Sequence, residues 1–180
     1  MQTIMRTLVA GGLLPAILSG CILVRTTEHR IKLNENGSGE ALLRLIDIRS
    51  DAQTDSLVRR DFDQMMKTYD KFGAEEFEKF GRKITGKQFV VHRDTLILEI
   101  SYTFPHPESV EGLHITKDGF TMGVNASREV LKTNGTLQNL KPGFQQILWD
   151  LSARRLMYVI REKTLPPSVS LADLYLRMRH

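Results

Sequence analysis

ILVRTTEHRIKL-NENGSG-EALLRLIDI, residues 22–48, is the stretch on which the fold turns. Ile22-Leu23-Val24 opens an apolar, β-branched run that continues through Arg25 to Leu33. Asn34-Glu35-Asn36-Gly37-Ser38-Gly39 is turn chemistry, because Asn-Gly and a second glycine tolerate the positive φ angles a tight reversal needs. A second strand follows from about Glu40 to Ile48, so residues 23–48 read as a β-hairpin.

Toward the C-terminus the period changes. Leu57, Val58, Phe62, Met65, Met66, Tyr69 and Phe72 recur at three- and four-residue spacing, which predicts one long helix over 55–72. Its Met and aromatic stripe could line a greasy ligand groove, but such a stripe is more often the core face of a helix laid on a sheet. Gly73 interrupts, and Ala74 to Phe80 adds a further turn or two, ending at Gly81. Leu96, Leu98, Ile100, Tyr102 and Phe104 then alternate with Ile97, Glu99, Ser101 and Thr103, the pattern of a strand with one buried face. Lys87–His92 precedes it across an Arg93-Asp94 turn. Leu113–Thr116 and Phe120–Val124 flank Lys117-Asp118-Gly119 as a second hairpin, and Glu129–Thr133 reaches Asn134-Gly135. Phe144–Asp150 and Leu156–Lys163 flank residues 151–155 as a third hairpin. Pro166-Pro167 stops the pattern. Ser170 with Asp173 resembles a capping box, and Leu171, Leu174, Tyr175 and Met178 form the apolar stripe of a short C-terminal helix. The fold class expected is α+β: an antiparallel sheet of about seven or eight strands built from hairpins, one long helix after the first hairpin, and a short terminal helix.

Toward the N-terminus the signals concern targeting. Arg6 gives a positive start, and Leu8 to Leu18 is an uncharged stretch of eleven residues. That is signal-peptide length, too short for the ~20 residues that span a bilayer. Leu18-Ser19-Gly20-Cys21 follows, and Cys21 is the chain's only cysteine. This resembles the lipobox of bacterial lipoproteins, in which the cysteine thiol is joined to diacylglycerol and the signal is cut just before it. The resemblance implies cleavage between Gly20 and Cys21, lipid attachment at Cys21, a signal over residues 1–20 and a single periplasmic or surface domain over 21–180. The alternative, an incidental or core cysteine, would leave a free thiol outside the cytosol, where it is a liability. Two or three acyl chains anchor stably where one binds only marginally. Ile22 in place of an aspartate leans toward the periplasmic face of the outer membrane over the inner membrane. No Gly/Ser-rich tether follows the cysteine.

Composition narrows the function classes. The whole chain carries +4, and removing Arg6 with residues 1–20 leaves 24 basic against 21 acidic residues, or +3. The charges are interleaved, and no basic stripe of the kind a nucleic-acid binder concentrates is visible. One cysteine excludes an internal disulfide and any multi-cysteine metal site.

Catalytic patterns do not hold. Ser38 sits in Gly-Ser-Gly, but its flanks do not make a nucleophile elbow, and a hairpin turn explains it better. There is no zincin motif, P-loop or dinucleotide fingerprint. His29, His92, His106, His114 and His180 are expected not to share a site, since no helical i, i+4 pair brings two together. Asp61 and Asp63, with Glu75, Glu76 and Glu78, are read as solvated helix faces rather than paired catalytic carboxylates. Arg59-Arg60, Arg154-Arg155 and Arg177-Met178-Arg179-His180 could meet anionic headgroups, but surface solubility is the plainer reading. No catalytic residue, metal ligand or cofactor is assigned.

The layout of Cys21, the Asn36-Gly37 turn, a helix and then strands ending in Trp149-Asp150 resembles the LppM-type lipoprotein domain. That resemblance implies association with lipid or glycolipid. The sequence therefore points to a membrane-anchored, non-catalytic binding or structural module of the cell envelope. Its expected partners are the membrane, through the anchor, and a lipid or an envelope protein. A lipid-binding version requires an apolar cavity between helix 55–72 and the sheet. An envelope hydrolase requires a cleft holding a histidine near a carboxylate and a nucleophile.

Overall fold

The structure, a computed structural model, describes residues 22–69 and 74–179. The expected signal segment, Gly20, Cys21, Phe72, Gly73 and His180 lie outside the described residues, as does the side chain of Glu76. The chain order is β1 (Ile22–Leu33), β2 (Gly39–Ser50), α1 (Asp55–Thr68), α2 (Ala74–Lys79), β3 (Lys83–His92) and β4 (Thr95–Phe104). After a 3-10 turn at Pro107–Ser109 come β5 (Leu113–Thr116), β6 (Gly119–Asn125), β7 (Arg128–Thr133), β8 (Thr136–Lys141) and β9 (Phe144–Trp149). β10 (Arg155–Glu162), β11 (Val169–Ser170) and α3 (Ala172–Met178) complete it.

The first hairpin forms where the sequence places it and is slightly longer, its register running from Ile22↔Ser50 to Leu33↔Gly39. Its turn closes with the Asn34 N–H donating to the Ser38 carbonyl at 2.8 Å, and Gly37 takes φ 83. One irregularity interrupts it. The buried–exposed alternation of β2 slips by one residue at Asp47, which has φ 61. Ile48 and Ser50 are thereby buried along with Leu43 and Leu45. Arg25 and Arg49 hold the Asp47 carboxylate at 2.8 and 3.1 Å, and aspartate is among the residues that tolerate this backbone region.

The strands divide into two antiparallel sheets, not one of seven or eight strands. The larger has the order β3-β4-β2-β1-β10-β7, with β11 pairing β2 beside it; the smaller has the order β5-β6-β9-β8. Three departures from the sequence expectation have identifiable causes. β8 is not among the strands expected from sequence, because Thr136, Gln138, Asn139 and Lys141 are polar, yet it is an edge strand held through its backbone by β9. β9 and β10 are not a hairpin: β9 pairs β6 and β8, whereas β10 pairs β1 and β7. The turn between them, in which the Ala153 N–H donates to the Asp150 carbonyl at 3.0 Å, hands the chain from one sheet to the other. The third departure is α1, which is short. It ends at Thr68, whose hydroxyl donates back to the Gln64 and Met65 carbonyls, a local competition that favours helix ends.

Only Val58, Asp61 and Phe62 of α1 are buried, while Met65, Met66 and Tyr69 are half-buried against the core. The expected capping box at Ser170 and Asp173 is also absent. Leu171 takes the N-cap position without a side-chain cap, and the Ser170 hydroxyl instead accepts from the Ala172 N–H at 3.3 Å. Met178, expected on the buried stripe of α3, is exposed. One continuous core joins both sheets and the helices: Ile31, Leu43 and Ile100 from the larger sheet, Phe120, Ile147 and Trp149 from the smaller, and Phe62, Phe77 and Tyr175 from the helices.

Candidate binding surface

Side chains alternate across a strand, so each large-sheet strand sends one set into the core and the other to the opposite face. In β1 the core set includes His29, Ile31 and Leu33, and the other set is Glu28, Arg30 and Lys32. In β2 the other set is Glu40, Leu42, Arg44 and Ile46; in β10 it is Arg155, Met157, Val159 and Arg161. This face holds a groove of about 820 Å³ walled by all six main strands, from Thr85 on β3 to Lys132 on β7. A void bounded by both edge strands of one sheet means the sheet curls toward it. The volume lies in the range of about 300–1,000 Å³ typical of small-molecule sites.

The floor is Leu42, Met157 and Val159. Around it stand four cations, Arg30, Lys32, Lys132 and Arg155, and two carboxylates, Glu28 and Glu40. Both carboxylates are engaged. Glu28 receives Arg30 at 2.6 Å and Arg44 at 2.9 Å, and Lys32 reaches Glu40 at 2.9 Å. Arg44 extends the row to Glu99 at 2.9 Å, and Gln88 closes it at 2.9 Å. The row thus crosses four strands. Its pairs are part-exposed, so each is worth about 0.2–1 kcal/mol at most, and its main consequence is to fix the side chains that shape the groove. Lys132 and Arg155 are exposed and have no carboxylate partner among the described residues.

On the opposite side of the same strands is a buried polar cluster. His29 Nε2 lies 2.8 Å from the Tyr102 hydroxyl and Nδ1 lies 2.9 Å from the Tyr158 hydroxyl. Arg82 is buried, with its guanidinium 4.3 Å from the Phe77 ring centre and its hydrogen bonding directed at the Tyr102 side chain. Arg82 donates only, so Tyr102 accepts from it. In either tautomer of the neutral ring, one His29 nitrogen donates to a phenol and the other accepts from the second phenol. Burial first, and the Arg82 charge second, lower the His29 pKa from 6.5 to about 3. Burial likewise raises the Tyr102 and Tyr158 phenols well above their ordinary value. The ring is therefore neutral, and both its nitrogens are used by phenols, leaving no lone pair to take a proton from a nucleophile.

The structure brings together few of the other residues singled out by sequence. His92, His106 and His114 are exposed and lie on separate elements: the end of β3, the entry to the 3-10 turn, and β5. No group of three His, Cys, Asp or Glu suited to a metal ion occurs among the described residues. Ser38 belongs to the hairpin turn, its hydroxyl donating to Asn36 Oδ1 at 2.7 Å. Asp63, Glu75 and Glu78 are exposed, but Asp61, expected on a solvated face, is buried and accepts from the Ser50 hydroxyl at 2.6 Å. Trp149, quoted for its Trp-Asp, is structural: its indole N–H donates to Asn134 Oδ1 at 2.8 Å, which also accepts from the Met157 N–H at 2.8 Å. Of the basic clusters, Arg59-Arg60 and Arg177 are exposed, and Arg155 lines this groove. The groove is not among the features expected from sequence; the one local signal for it is Leu156 to Ile160, a strand apolar on both faces although only one face can reach the core.

No helix among the described residues is long and apolar enough to cross a membrane. No family model, no curated protein and no solved structure matches this chain.

Proposed function

We propose that this chain is an envelope lipoprotein, anchored through Cys21 on the extracytoplasmic side of a bacterial membrane, whose domain is a non-catalytic binding module mounted flush with the bilayer. Its partners in this reading are the membrane, through the acyl chains, and a lipid or an envelope protein in the groove; nucleic acid is not among them. Ile22 favours the periplasmic face of the outer membrane over the inner membrane.

The observation that carries the flush mount is the start of β1. Ile22 is already paired with Ser50, so no residue separates Cys21 from the sheet. A flexible tether of n residues gives a reach of about 5–6 Å × √n, and here n is zero. The end of the sheet at Ile22 and Ser50 then faces the lipid. The non-catalytic part of the reading is supported by His29, whose partners are two phenols and not a nucleophile with a carboxylate.

A second reading, binding of a lipid or glycolipid, is favoured by the apolar floor and cationic rim of the groove. That groove lies on the face away from α1, not between the helix and the sheet.

Hydrogen exchange on the acylated protein in vesicles tests the mount. Slow exchange from Val24 onward is expected, and fast exchange through Ile31 would overturn it. In cells, a long Gly/Ser insertion after Ile22 should impair function; unchanged function contradicts close mounting.

A further inference from the structure

We propose that the groove on the concave face of the large sheet binds a single-chain amphiphile with an anionic head, the head held by Lys132 and Arg155 and the apolar part laid over Leu42, Met157 and Val159. This rests on reading the groove as the module's binding surface.

Charge placement is the first argument. In the β1–β10 register Arg155 stands directly across from Lys32, and Met157 across from Arg30. Like charges directly opposite each other on adjacent strands are destabilising. Glu40 and Glu28 answer Lys32 and Arg30, but no carboxylate answers Arg155, nor Lys132 on the neighbouring strand, opposite Val159. Lys132 lies across from Val159, four residues along β10 from Arg155, or about 13 Å at 3.3 Å per residue, a span that two long side chains can close from either side of one anionic head through charge-assisted hydrogen bonds. The second argument is the floor. Met157 is apolar and adaptable, with Val159 two residues along the same face of β10, and Leu42 lies across β1 from it, on the far side of Arg30. A ligand that was only a charge would leave this surface wet.

Two other occupants fit less well. An extended peptide lying on the face of a sheet finds the backbone groups beneath it already spent in the ladders, so its own amides would go unpaired against the floor. An acyl chain has no such groups to satisfy. On the proposed mount the bilayer lies at the Cys21 end of β1, and Glu28 to Lys32 follow Cys21 by seven to eleven residues, or roughly 23–36 Å along the strand at about 3.3 Å per residue. On that mount the occupant is a molecule lifted out of the membrane.

The test uses the full 180-residue chain, expressed without acylation, so its result does not depend on whether Cys21 is a lipid anchor. Calorimetric titration below micellar concentrations compares dodecyl phosphate, dodecyl maltoside, inorganic phosphate and an acidic peptide. One-to-one binding of dodecyl phosphate is expected, at least about tenfold tighter than the maltoside, with no binding of phosphate alone. Lys132→Ala with Arg155→Ala should weaken dodecyl phosphate about tenfold or more, a change of about 1.4 kcal/mol, and bring the two detergents level. Should the double variant fold poorly, the Met157 methyl resonance of the unmodified chain gives the same answer, since it must shift with dodecyl phosphate. Equal affinity for both heads, undiminished binding in the folded variant, or an unmoved Met157 methyl would overturn the proposal. Tighter capture of the acidic peptide would overturn it in favour of a protein partner.

Discussion

Replacing His29 with Gln should remove about 2 kcal/mol of the stability that this domain loses between pH 7 and pH 5. In the folded chain His29 holds a proton only below about pH 3, whereas in the unfolded chain it does so below its ordinary 6.5. Between these values the unfolded state binds one more proton, so stability rises with pH and is lost as pH falls from 6.5 toward 3. One proton is worth about 1.36 kcal/mol per pH unit, so the step from pH 7 to pH 5 costs about 2 kcal/mol from this residue alone. Gln can offer one acceptor and one donor to Tyr102 and Tyr158 but does not titrate. Urea unfolding at pH 7 and pH 5, on the parent and on His29→Gln, measures the difference directly, because every other titrating group cancels. The parent should lose about 2 kcal/mol more than the variant over this interval. Equal losses would refute the argument, and with it the claim that the ring is held neutral between two phenols.

Three further substitutions probe the packing. Asn134→Ala removes the shared acceptor of the Trp149 indole and the Met157 amide and should cost about 1–3 kcal/mol in urea unfolding. Gly135→Ala places a Cβ 2.7 Å from the indole nitrogen and 2.8 Å from the Leu148 carbonyl, so thermal unfolding should show a loss of about 1–3 kcal/mol. Ser50→Ala deprives the buried Asp61 carboxylate of its 2.6 Å donor and should cost about 1.5–3 kcal/mol, while Ser50→Ala made in an Asp61→Asn background should cost less, as a double-mutant cycle would register.

The parts of the fold legible in sequence are those set by local chemistry. Asn36-Gly37 marks the first turn, Arg93-Asp94 the β3–β4 turn and Lys117-Asp118-Gly119 the β5–β6 turn, and each joins strands that do pair. What periodicity does not carry is the choice of partner. Phe144–Asp150 and Leu156–Lys163 read as adjacent strands, yet which sheet each joins depends on Trp149 reaching Asn134 and on β10 lying beside β1, contacts 15 or more residues apart. Asp61 reads as solvated because charge suggests solvent, and the Ser50 hydroxyl arriving from β2 makes its burial tolerable. His29 could be seen to alternate with Glu28 and Arg30, and so to face the core, but its phenol partners come from strands 73 and 129 residues away. The groove is distributed across six strands in the same way, and no local window of sequence contains it.

The anchoring reading rests on Cys21, and the intact mass of the protein extracted from the membrane fraction tests it most directly. The mature chain is expected to begin at Cys21 and to carry the added mass of diacylglycerol, with or without a further acyl group on the new amine. The same measurement on Cys21→Ala should show the uncut chain without acyl mass. A mature chain that begins anywhere else, or one that begins at Cys21 and carries no acyl mass, would contradict it.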